Sequence, residues 1–323
     1  MKLRTQYAPA RGFALVIVLW AGVLLSIIAA SFAFGMRVET RLAVNLMDRA
    51  KAQAVADAGI YRGVLALLVK NSGSGWVADG RSYELPFGDG KMRIRLQSEA
   101  GKVDLNGAPD ALIEGLVTSL VESGDLSNSD QAARIAAAIL DWRDADHNAR
   151  PSGAEDADYR ASGRPVGARD GAFLSVDELN QVLGVNPATY ARLAPLVTVY
   201  SWAPQVDPMT APRSVLLAVP GLDTDRVDKF LMAREALTAA EPQDGDEVVR
   251  LPMELLSPGA RYLSRSVSSV YTIDAEAELP EGARAGRRAV IQLTQDARRP
   301  YVIVAWFDSI PGAETESASL GLQ

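Results

Sequence analysis

The chain has 323 residues, 48% hydrophobic and 23% charged, which is enough apolar material for one or two packed domains. Its formal net charge of −7 argues against nucleic acid or anionic lipid as a partner. With no cysteine and one histidine, disulfides and thiolate metal centres are excluded, and histidine catalysis has a single candidate, His147.

A leader, Met1 to Gly12, carries Lys2, Arg4 and Arg11 with no acid, and a 22-residue uncharged run from Phe13 to Phe34 follows at once. At about 1.5 Å per residue the run reaches roughly 33 Å, enough to cross a bilayer core. The leader cations should stay in the cytoplasm, placing everything after Arg37 on the far side. A secretory signal has a shorter apolar stretch, about 7 to 15 residues, and a small-residue cut beyond it. Here the glycine precedes the run, although Ala29, Ala30, Ser31 and Ala33 offer a conventional peptidase a second place to cut.

A short basic leader ending in glycine before an apolar helix resembles the class III signal of type IV prepilins and type II secretion pseudopilins. The resemblance implies cleavage by a prepilin peptidase between Gly12 and Phe13 and methylation of Phe13. Most such proteins carry glutamate at the fifth mature position, where this chain has Ile17. A free amino terminus in hydrocarbon is costly unless paired, and that glutamate can neutralise a neighbour's terminus. A subunit without it fits best where no subunit lies ahead. Within the superfamily this departure resembles the type II secretion minor pseudopilin K, and some minor pilins of type IV pili share it.

From Arg37 to about Lys70 there is no proline, and Val38, Leu42, Leu46, Val55, Ile60, Val64 and Leu67 form one apolar stripe. Anchor and stripe predict a continuous helix that Asn71 to Gly75 stops. The alternative is a signal anchor followed by a separate amphipathic helix. Ser82–Phe87 and Lys91–Leu96, joined through Gly88-Asp89-Gly90, predict a hairpin with Met92, Ile94 and Leu96 on one face. Val267–Ala277 and Ala289–Gln295 also alternate, while Tyr301–Phe307 is apolar throughout and reads as a strand covered on both faces.

Between the strand groups the pattern is helical. Val103-Asp104-Leu105-Asn106-Gly107-Ala108-Pro109 recurs as Val206-Asp207-Pro208-Met209-Thr210-Ala211-Pro212, each leading into an apolar helix, which suggests two similar subdomains or a chance echo. Leu216 to Leu222 and the helical stretch after it resemble a helix-hairpin-helix unit. Asp223 and Asp225 stand where a phosphate would sit, so packing is favoured over DNA contact.

Asp141 to Asp158 is the densest chemical signal: Asp141, Asp144, Asp146, Glu155, Asp156 and Asp158 against Arg143 and Arg150. Carboxylates at the end of a helix begun near Ser129 oppose its dipole unless a cation offsets them. Oxygen donors without cysteine favour calcium, but the spacing is not an EF-hand, and a solvated acidic loop fits the composition equally well. The run Asp-Trp-x-Asp-x-Asp, then Gly-Ala-Glu, resembles the calcium loop of pseudopilin K proteins, which implies ligands at Asp141, Asp144, Asp146, Glu155 and Asp156. Asp104, Asn106, Asp177 and Glu178 are further candidates, although Ser175 to Glu178 also reads as a capping box. No Gly-x-Ser-x-Gly, phosphate loop or zinc motif supports an enzyme, and Trp76, Trp142, Trp202 and Trp306 read as core or interface anchors.

The expected architecture is α+β: a pilin-like long N-terminal helix packed on an antiparallel sheet, with a large helical domain inserted in the sheet. The expected divisions are a leader at 1–12, a membrane part at 13–36, a periplasmic helix at 37–70, a sheet from 71–100 and 262–323, and an insertion of two subdomains at 101–261. The resemblance implies a single-pass inner-membrane protein facing the periplasm, at the tip of the type II secretion pseudopilus. There it would initiate or cap assembly with minor pseudopilins I and J and meet secreted substrate. The rivals are a minor pilin of a type IV pilus and a membrane-anchored periplasmic calcium-binding adaptor.

Overall fold

The computed structural model describes residues 13–69, 76–122, 124, 128–165, 167–239, 252–265 and 268–309. Gly12, the rest of the leader and the expected helix stop at Asn71 to Gly75 lie outside them.

Helix α1 runs unbroken from Phe13 to Leu68, 56 residues, or roughly 84 Å. Its two parts meet different surroundings. Burial begins at Ala52 and continues through Val55, Ala56, Ile60, Val64 and Leu67. Towards the N-terminus the stripe continues without cover, and Val38, Leu42 and Leu46 are each more than half exposed.

The buried end of α1 lies on a five-stranded antiparallel sheet. Strands β1 (Asp79–Phe87) and β2 (Gly90–Ser98) form the expected hairpin, turning at Gly88 with φ +58. Strands β5 (Val270–Glu278), β6 (Arg284–Leu293) and β7 (Tyr301–Ser309) complete the order β1-β2-β5-β6-β7. The period of two puts Met92, Ile94 and Leu96 of β2 with Ile273 and Ala275 of β5 against the helix. Gly59 and Gly63 permit the close approach: a Cβ on Gly59 would lie 2.8 Å from Ala275 Cβ, and one on Gly63 would lie 2.8 Å from Ile273 Cγ2. The opposite face carries ion pairs in lateral rows, with Arg93 between Glu84 and Glu276, and Asp274 between Arg95 and Arg288. Each such exposed pair contributes about 0.2–1 kcal/mol.

Strand β7 differs from its expectation. It is an edge strand, and Val302, Ile303, Val304 and Phe307 are 38–47% exposed rather than covered on both faces. A wholly apolar strand is read as central because that pattern is commonest in strands buried on both sides. Its place in the sheet is set by ladder order, which composition does not encode.

Between β2 and β5 lies the helical part. It holds β3 (Val103–Asp104), α2 (Asp110–Glu122), α3 (Ser129–Arg143), α4 (Asp156–Ala161), α5 (Pro187–Leu193), β4 (Val197–Thr198), α6 (Arg213–Leu217) and α7 (Thr224–Ala239), with a 3-10 helix at Met253–Tyr262. It has its own core, in which Leu112, Leu116, Ile135, Ile139, Phe173 and Phe230 are fully buried. The parallel pair β3–β4 ties its first half together.

The sequence echo has a structural counterpart. Asp104 Oδ1 accepts from the N–H groups of Asn106 and Gly107, and its carbonyl from Ala108 N–H, ahead of α2. Asp207 Oδ1 accepts from Met209 N–H, and its carbonyl from Ala211 N–H, ahead of α6. Each turn feeds a two-helix unit, α2–α3 or α6–α7, the second turning at Gly221 with φ +89.

Candidate functional site: an acidic pocket with orphaned carboxylates

Helix α3 delivers the first acids. Asn128 starts it by accepting from Gln131 N–H at 2.8 Å, and it ends at Arg143, leaving Asp141 in the last turn. There Asp141 is completely buried. Its charge is balanced by donors from the following loop: the Arg150 guanidinium at 2.9 Å, Arg150 N–H and Ala154 N–H. Arg150 also pairs with Asp144 and reaches Asp110 at 3.6 Å. Gly153 is required here, because a Cβ would run into Asp141 Oδ2. Trp142, stacked near Tyr159 and Phe173, forms the apolar floor.

Beyond Arg150 the pocket is less well compensated. Glu155, at the start of α4, is 5% exposed, and neither of its carboxylate oxygens has a hydrogen-bond partner. Asp144 Oδ1 and Asp170 Oδ1 are likewise buried without one. Burial first, then the negative charges of Asp141, Asp170 and Asp144, push the Glu155 carboxyl up to about 7. Leaving four buried carboxylate oxygens without hydrogens costs on the order of 1–3 kcal/mol each unless a proton or cation meets them.

Of the five residues the resemblance implied, Asp141, Asp144 and Glu155 gather round this pocket. Asp146 Oδ1 is engaged with the backbone and side-chain N–H groups of Asn148, each at 2.9 Å. Asp156 pairs with Arg160 and packs against Gly167. The further candidates are internally bonded: Asp104 Oδ2 to Ser201 and Trp202, Asn106 to Phe173, Asp177 to the Tyr190 hydroxyl. Glu178 accepts from Leu174 N–H at 3.0 Å and from Trp142 Nε1–H, a variation on the expected capping box in which Ser175 makes no side-chain cap.

Asp170 was not singled out in the sequence. It lies outside the acidic run, between Arg169 and Gly171, in a left-handed conformation with φ 54 that aspartate tolerates better than most residues. Its Oδ2 lies 3.2 Å from Nδ1 of the exposed His147.

Residues 98–202, which include the whole pocket, match the family model described as "Type II secretion system (T2SS), protein K". The family resemblance is thereby shown. Type II secretion system protein K of Aeromonas hydrophila is 30% identical over 208 residues, covering 58% of this chain and 62% of that protein. The Pseudomonas aeruginosa protein K is 27% identical over 176 residues, about half of each chain at 51%. The chain thus spans about half to three-fifths of the length of these curated relatives. The fold is similar to a chain in the crystal structure of the GspK-GspI-GspJ complex from enterotoxigenic Escherichia coli. That match has a TM-score of 0.52 and 14% identity, and it covers 81% of this chain and 99% of that one. The pilin-like α+β architecture of long helix, antiparallel sheet and further helices is common to both. Within this protein K chain, α1 is long and apolar enough to cross a membrane.

Proposed function

We propose that the chain is a minor pseudopilin of type II secretion that sits at the pseudopilus tip and initiates or caps assembly. The observation that carries this reading is the bulky helical unit lodged between β2 and β5 of a sheet packed on a long helix, with the protein K domain inside it. A unit this wide would obstruct further subunits stacking above it. Ile17, in place of an acid, could not neutralise the terminus of a subunit ahead. The uncovered stripe of Val38, Leu42 and Leu46 needs lipid or neighbouring helices, and filament packing supplies both. Minor pseudopilins I and J are the partners we assign, by analogy with the complex in the similar crystal structure. The inner membrane holds α1 and the periplasm receives the remainder. The role is structural, with no catalysis assigned.

We assign calcium to the acidic pocket. The orphaned oxygens of Asp144, Glu155 and Asp170, with Asp141 behind them, fit a hard cation that accepts six to eight oxygens. Asp146 and Asp156 would join only by leaving Asn148 and Arg160. Bound there, calcium would supply the positive charge that fixes the loop joining α3 to α4.

Intact mass and N-terminal sequencing of the protein from native membranes, with and without the prepilin peptidase, test the assignment. A chain beginning at methylated Phe13, lost when the peptidase is absent, is expected. An unprocessed Met1, or a cut near Ala33, would overturn it. Co-purification with I and J partners tests the assembly role separately.

A further inference from the structure

The pocket is compensated unevenly. Arg150 already serves Asp141 and Asp144, so one positive charge lies among the inner acids. The outer wall has none. One donor atom each from His147, Glu155 and Asp170 lies within 4.8 Å of the others. Both Glu155 oxygens there are buried and unbonded, on a side chain more than nine-tenths buried, as is Asp170 Oδ1. A water or an alkali ion does not call for an imidazole at such a point. A borderline divalent ion does, because imidazole nitrogen with carboxylate oxygen is a common donor set for it.

We propose that His147, Glu155 and Asp170 form a mixed nitrogen–oxygen site for a divalent ion of the zinc class, at the outer wall of the acidic pocket. His147 supplies the nitrogen from the solvent side, 75% exposed and free to turn inward, while Glu155 and Asp170 supply oxygens already in place. Glu155 is common to this site and to the calcium position, so the two ions compete for it. The inference deepens the reading that this loop holds a cation, and it stands apart from the filament role.

Calorimetric titration of the full chain in detergent, stripped with chelator, tests it with zinc and calcium added separately. One zinc per chain is expected. His147→Ala should weaken zinc binding at least tenfold while changing calcium affinity less than twofold, because His147 is no oxygen donor. Glu155→Gln should weaken zinc as well. Cobalt offered as a coloured probe should lose visible absorption in both variants.

Zinc bound equally by wild type and His147→Ala would overturn the proposal. Zinc retained by Glu155→Gln would also overturn it, since that points to a lone surface histidine. If calcium binds and zinc does not, the proposal falls and the calcium reading stands. If neither binds, both fall. If zinc binds with the expected dependence and calcium does not, the proposal stands alone.

Discussion

Arg143 and Arg234 perform the same task in the two halves of the helical insertion. Arg143 Nη1 donates to the carbonyls of Leu105 and Ala108, and Arg234 Nη1 donates to those of Pro208 and Ala211. Counted from Asp104 and Asp207, these are the same two carbonyls. Each arginine lies near the end of the second helix of its pair, α3 or α7, and fastens the turn that starts the first. Desolvation lowers the pKa of both guanidinium groups. That cost is tolerated because the carbonyls are otherwise unserved. Replacing Arg234 with alanine should lower stability by about 2–4 kcal/mol, and lysine should recover only part of it, since one ammonium cannot match the fork. Urea unfolding of the full chain in detergent, comparing midpoints at unchanged slope, provides the check.

The contact of α1 with β5 depends on glycine. Gly63→Val should destabilise the sheet end by about 1–3 kcal/mol, because its side chain would press on Ile273 and Leu96. Gly35→Ala is the control: nothing lies within 4 Å of a Cβ there, and the helix should gain up to about 1 kcal/mol. Hydrogen exchange across β2 and β5 would distinguish the two.

Asp141 should be the least replaceable acid of the loop. Asp141→Ala leaves Arg150 and the Ala154 N–H facing a void, and breaking a buried pair from one side costs about 3–5 kcal/mol. Asp146→Ala, at an exposed residue bonded only locally, should cost less than about 1 kcal/mol. Thermal unfolding of the two variants side by side, without added metal, would show the contrast.

The metal-free protein should lose stability as pH rises. The Glu155 carboxyl titrates near 7 when folded against 4.5 as its ordinary value, so the native state holds the extra proton between those limits. Stability from this group is therefore present below about pH 4.5 and is lost as pH rises through 7, by about 2–3 kcal/mol. Glu155→Gln should flatten the slope, and saturating calcium should remove or reverse it. Denaturant midpoints from pH 5 to 8, with and without calcium, give the sign directly.

The sequence made local features plain and left distant ones hidden. Helix α1 was legible because 56 residues without proline and with a continuous apolar stripe have one economical conformation. The inward face of β2 was legible because Met92, Ile94 and Leu96 alternate with charges. Asp170 was not, since it meets Glu155 only after the chain has passed through α4 and folded back. The kinship of Arg143 and Arg234 escaped for the same reason: the echo at Asp104 and Asp207 is local, but the arginines that read it come from the far helix of each pair. The edge position of β7 depends on which strand reaches β6 last, and no pattern within seven apolar residues records that.

The insertion leaves and rejoins the sheet at one point. Ser98 and Tyr271, on β2 and β5, are direct neighbours there, and the buried Glu99 bonds to Thr272 at 2.6 Å and to Lys102 at 2.7 Å. A force applied to the inserted helices therefore draws both central strands the same way, and does not peel one from the other. The strain passes outward as shear into the ladders with β1 and β6, and downward into α1 where Gly59 and Gly63 sit on β5. The inserted unit is mounted on the shaft as a tool head is on its handle, through the stiffest part of the sheet, so a push at the tip travels the length of the helix with little lost to bending at the joint.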